Sequence, residues 1–60
     1  MSVAAEIIGA VTSAGGKRCE VKWDPRSGDV YVSYAGWAHC GKASSASEAM
    51  RRAEAWLYNK

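Results

Sequence analysis

The sequence predicts a small α+β protein: a three-stranded antiparallel sheet with a C-terminal helix laid across one face. Three observations carry that expectation. Residues 18–34 alternate apolar and polar side chains, a run of turn formers interrupts the alternation at 24–29, and residues 46–57 repeat apolar side chains at helical spacing. The chain has 60 residues, which is one domain's worth: an N-terminal segment at 1–16, a β-meander at 17–43 and a helix at 45–59.

The N-terminal segment leaves its conformation open. Val3, Ile7, Ile8 and Val11 have helix-like spacing, and Ser2 would cap such a helix. Ile7-Ile8-Gly9-Ala10-Val11 reads equally well as a strand, because Gly9 weakens a helix by about 1 kcal/mol. Helix is the first expectation, and strand or disorder are the alternatives. In each case the apolar residues need a surface to cover them, the same sheet or a second subunit.

The meander follows. In Arg18-Cys19-Glu20-Val21-Lys22-Trp23, the apolar members Cys19, Val21 and Trp23 face one way and the ionic members the other. Asp24-Pro25-Arg26-Ser27-Gly28-Asp29 is a turn, in which Pro25 presets φ and Gly28 supplies a left-handed position. Val30 to Tyr34 returns as a second strand, Gly36 breaks the run, and Trp37 to Ala43 is a short third strand. Ala46, Ala49, Met50, Ala53, Trp56 and Leu57 then mark one face of a helix. Ser45-Ala46-Ser47-Glu48 fits a capping box, with the Ser45 hydroxyl taking the Glu48 N–H and Glu48 reaching back to the Ser45 N–H. Arg51 and Arg52 fall on the helix's solvent side.

Composition narrows the function. Hydrophobic residues make up 48% of the chain, but many are Ala, there is no Phe, and three Trp supply much of the bulk. A core this thin has no walls for a cofactor pocket of about 300–1,000 Å³, so no cofactor is expected. The net charge of +2 is mild and by itself does not argue for a nucleic-acid clamp. Met1 to Thr12 lacks Lys and Arg, unlike a secretory signal, and no apolar stretch reaches the roughly 18 residues of a membrane span. A cytoplasmic protein is the expectation, and with it two reduced, buried cysteines at Cys19 and Cys40. A zinc site would have to gather Cys19, His39 and Cys40, yet adjacent strand residues point to opposite faces, so no metal is expected. No Ser/His/Asp set has a preorganised arrangement, and Gly15-Gly16-Lys17 lacks the spacing of a phosphate loop, so no catalytic residue is expected either.

What remains is a binding module, and two readings of it. In the first, the outward face of the sheet takes nucleic acid, DNA rather than RNA. Arg18, Lys22 and Arg26 position phosphates while Tyr31 and Trp37 stack or wedge at bases. In the second, an apolar patch of Ile7, Ile8, Val11 and Trp37 holds a protein partner, a second copy of the chain included.

Three resemblances accompany these readings. Glu20-Val21-Lys22-Trp23-Asp24-Pro25-Arg26-Ser27-Gly28, Val30-Tyr31-Val32 and the Ser45–Ala49 helix start resemble the ethylene-response-factor and integrase-type DNA-binding domain. That family's three-stranded sheet reads DNA, which implies Arg18, Lys22 and Arg26 as contacts. The Arg/Trp-dense first strand of the family and its Trp-Leu-Gly before the helix are missing here. Gly36 through Cys40, followed by Ser45-Ala46-Ser47-Glu48-Ala49, is similar to HicB-type antitoxin domains, which implies a protein partner. With a helix at the N-terminus, the order αβββα would resemble the double-stranded RNA-binding fold, although Ala46 and Ser47 stand where that fold carries a Lys pair.

Overall fold

This computed structural model describes residues 5–58 and 60, and among them four strands and one helix are formed. β1 (Glu6–Thr12), β2 (Arg18–Trp23), β3 (Asp29–Ser33) and β4 (Trp37–Lys42) form one antiparallel sheet in the order β1-β2-β3-β4, and α1 (Ala46–Leu57) packs on one of its faces.

The period-2 pattern decides which face. Val21 stands opposite Val32, and Trp23 opposite Val30, so the apolar members of β2 and β3 share one surface. Cys19, Val21, Val30 and Val32 are completely buried there, with Trp23 and Tyr34 packed at the margin. α1 answers with Ala49, Ala53 and Leu57, also buried, while Met50 and Trp56 are half-buried and Ala46 is exposed. Small Ala side chains at the contact let the helix lie close to the sheet. Trp23 ties β2 to the residue that follows β4, because the indole N–H donates to the Ala43 carbonyl at 3.2 Å. Arg51 and Arg52 are both exposed, and Arg52 lies along the flank of α1, its Cδ 3.9 Å from where a Cβ on Gly41 would stand.

Of the conformations the N-terminal segment left open, the strand is adopted rather than the helix: residues 6–12 are β1, paired with β2, which corrects the sheet from three strands to four and rules out the αβββα order. The correction has a local cause. The β1–β2 register shifts between Ile7 and Gly9, a bulge that inserts one extra residue. Ile7 therefore stands opposite Lys22 on the outward face, whereas Ile8 and Val11 pack against the core. Apolar residues at 8 and 11 mimic helical spacing, although the backbone is extended. Gly9 leaves space for Met50, whose methyl carbon would lie 3.0 Å from a Cβ there. Ser2 and Val3 lie outside the described residues.

The helix start differs from the expectation in one bond. The Ser45 hydroxyl accepts the Glu48 N–H at 3.2 Å, as a cap should. The Glu48 carboxylate, however, accepts the Ser44 N–H at 2.7 Å and the Ser44 hydroxyl at 2.8 Å rather than the Ser45 N–H. Those two donors, the backbone one first, hold the Glu48 carboxyl below its usual range.

Cys19 and Cys40 are free thiols on β2 and β4. β3 lies between, so two strand spacings of about 4.8 Å separate them, beyond the reach of a disulfide. Burial pushes the Cys40 thiol up, which keeps it protonated and a poor nucleophile at neutral pH. Among the described residues no helix is long and apolar enough to cross a membrane.

Candidate functional site

Side chains that alternation turns away from α1 form the outward face of the sheet, and no other described element covers it. One cross-strand row runs Ile7, Lys22, Tyr31, His39, from β1 to β4. A second pairs Ser33 with Trp37. Trp37 is 45% exposed, a large apolar surface to leave in water without a use.

Lys22 crosses from its own strand to Trp37, and its ammonium stands 4.1 Å from the centre of the Trp37 rings. The small Ser33 side chain lies along that path and is held down on β2, where its hydroxyl accepts the Glu20 N–H at 2.8 Å. A cation over an exposed indole is worth about 0.5–1 kcal/mol. Ala5, Lys22, Tyr31 and Trp37 together line an open depression of about 250 Å³.

The Tyr31 ring is braced from the other side. His39 tilts against it with ring centroids 5.3 Å apart. The His39 Nε2 is 3.0 Å from an Asp29 carboxylate oxygen, and the Lys42 ammonium approaches the same oxygen at 3.7 Å. The Ser27 hydroxyl donates to the other Asp29 oxygen at 2.7 Å. Hydrogen bonds from Ser27 and then His39, and after them the Lys42 charge, hold the Asp29 carboxyl below its usual range. Asp29 thus stays ionised and fixes the imidazole that supports Tyr31. A bulge between Val30 and Tyr31 makes this contact, because it brings His39 opposite Tyr31 and turns Cys40 toward the core.

The structure brings together three of the five residues the sequence nominates for nucleic acid: Lys22, Tyr31 and Trp37. Arg18 shares their face but opens β2, opposite Thr12, four residues from Lys22 and so about 13 Å along the strand. Arg26 is exposed in the 24–29 turn, where its N–H donates to the Asp24 side chain at 2.8 Å. It stands at the end of the sheet rather than on its face. The apolar set is split, with Ile7 and Trp37 outward and Ile8 and Val11 inward. Asp29, His39 and Lys42 were absent from both sets. His39 alternates outward in the sequence, but its partner Tyr31 depends on a register that the bulge alters.

Among the described residues no group of three or more His, Cys, Asp or Glu side chains is placed to hold a metal ion. His39 is outward, while Cys19 and Cys40 belong to the helix side of the sheet. The chain matches no protein-family model, and no curated protein or solved structure is detectably similar to it.

Proposed function

We propose that the protein binds nucleic acid through the outward face of its sheet. The supporting observation is the depression where Lys22, Tyr31 and Trp37 meet, a cation and two aromatic rings with no part in the core. Such a face offers phosphates a charge and bases a π-surface. Arg18 extends it along β2 and Arg26 flanks its hairpin end, so at most three phosphates are neutralised by the nominated cations. Lys42 is already engaged by Asp29.

The salt dependence follows from that number. Between about 50 and 200 mM salt, log affinity falls against log salt with a slope of about −2 to −3, at 0.7–0.9 per phosphate. A labelled oligonucleotide titrated with the whole chain measures it. A flat response, or no binding at low salt, removes the reading.

A second reading rests on Ile7, which is 54% exposed on β1, an edge strand of the described sheet. Ile7 and Trp37 bracket Lys22 on the same face and would suit a protein partner or a second copy. Light scattering over a concentration series tests self-association, and a constant monomer mass sets that form aside.

A further inference from the structure

We infer that the nucleic acid taken by this face is single-stranded, and that a base displaces the Lys22 ammonium from the Trp37 indole while Lys22 moves to the adjoining phosphate. The inference rests on the reading above and specifies its ligand.

Spacing argues first. Tyr31 stands opposite His39, and Trp37 is two residues from His39, so Tyr31 and Trp37 are diagonal neighbours on the outward face, their Cα atoms about 7–8 Å apart. Successive bases in a duplex rise about 3.4 Å and cover each other's faces. Stacked in that way they present no free face to Tyr31 or Trp37. A single strand can unstack its bases and lay them on side chains of separate residues, with the small Ser33 beside Trp37 leaving room for one.

Charge argues second. Of the ionic side chains on the outward face, Arg18, Lys22 and Lys42 are opposed by Glu20 and Asp29, and the whole chain carries only +2. A face so nearly neutral gains little from phosphates alone, so stacking has to supply much of the affinity. Stacking on an aromatic side chain contributes roughly 5- to 150-fold per base.

Lys22 argues third. Its ammonium lies 4.1 Å over the very ring a base would use, on a flexible stem that also reaches outward. Replacing it with a base exchanges a weaker contact for a stronger one and frees the charge for the phosphate beside that base. Trp37 is still 45% exposed beneath Lys22 in the free chain, and a base stacked on it covers that surface.

The test is fluorescence anisotropy with the whole chain and three labelled probes: a 15-nucleotide deoxythymidine strand, the matching uridine strand and a 15-base-pair mixed-sequence duplex. Both single strands are expected to bind at least about tenfold more tightly than the duplex. Their relative order reports the preferred sugar. Trp37→Ala should weaken the single strands roughly 5- to 150-fold, and Trp37→Phe should restore most of that loss. Lys22→Met should reduce the salt slope by about 0.7. Circular dichroism confirms that each variant is folded, and the comparison of single strand with duplex on the parent chain carries the test should the Ala variant not be. Duplex binding as tight as single-strand binding and indifferent to Trp37 overturns this inference while leaving nucleic-acid binding intact. Absence of binding to all three probes at about 50 mM salt overturns both, and leaves a protein partner as the use of the face.

Discussion

The Leu57→Ala variant is expected to melt roughly 10–30 °C below the parent chain. Leu57 is 1% exposed and is the largest of the fully buried side chains. Its truncation removes apolar contact with the sheet and leaves a cavity, a combination that costs about 2–5 kcal/mol. A domain of this size has only about 3–9 kcal/mol in total, and each kcal/mol moves the melting temperature by about 4–8 °C. The other fully buried residues are Val, Ala and Cys, and the larger aliphatic chains Ile8 and Met50 pack only at the margin. The Leu57 carbonyl also accepts the Ala14 and Lys60 N–H groups at 3.4 and 3.0 Å, so loosening of this turn frees the β1–β2 connection too. Thermal unfolding followed by circular dichroism checks the shift. A loss of under about 1 kcal/mol would show that α1 does not pack through Leu57.

The second large effect is at Gly28. Its φ of 84° is in the left-handed region, and a Cβ there would lie 2.9 Å from the Ala43 carbonyl oxygen. That oxygen is the acceptor of the Trp23 indole N–H, and the Ala43 N–H in turn donates to the Gly28 carbonyl at 2.8 Å. Gly28→Ala therefore incurs about 1–2 kcal/mol for the backbone conformation, and about 0.5–1.5 kcal/mol more as the Trp23 bond is displaced. Gly16 makes the comparison sharp. Its φ is 87°, yet nothing lies within 4 Å of a Cβ there, so Gly16→Ala should lose only the first contribution. Denaturant midpoints at unchanged m-value measure both. Equal losses at the two sites would mean that the contact with Ala43 does not constrain the hairpin.

The parts of the fold legible in the sequence are those where one side-chain period runs unbroken. Cys19, Val21, Val30 and Val32 alternate without interruption, and the helix stripe from Ala49 to Leu57 keeps its spacing. β1 is legible only as an alternative to a helix, because its bulge puts Ile7 and the core residues Ile8 and Val11 out of period. The candidate site shows the same division. Lys22 and Tyr31 follow from alternation within β2 and β3, and Trp37 from the strand after Gly36. The brace of Asp29, His39 and Lys42 depends on which residues of β3 and β4 stand opposite each other, and a second bulge, at Cys40, sets that. Arg18 and Arg26 carry the right charge, but residue type alone does not tell the centre of a sheet from its ends.

In the proposed complex the outward sheet face, rather than the exposed helix face, meets the nucleic acid. Amide and indole chemical shifts of the isotope-labelled chain, recorded while the 15-nucleotide deoxythymidine strand is titrated in, test that most directly. The predicted result is that Lys22, Tyr31, Ser33 and the Trp37 indole N–H move most, with Ala49, Ala53 and Leu57 nearly still. Shifts centred on Arg51 and Arg52, with the Trp37 indole unmoved, would contradict it.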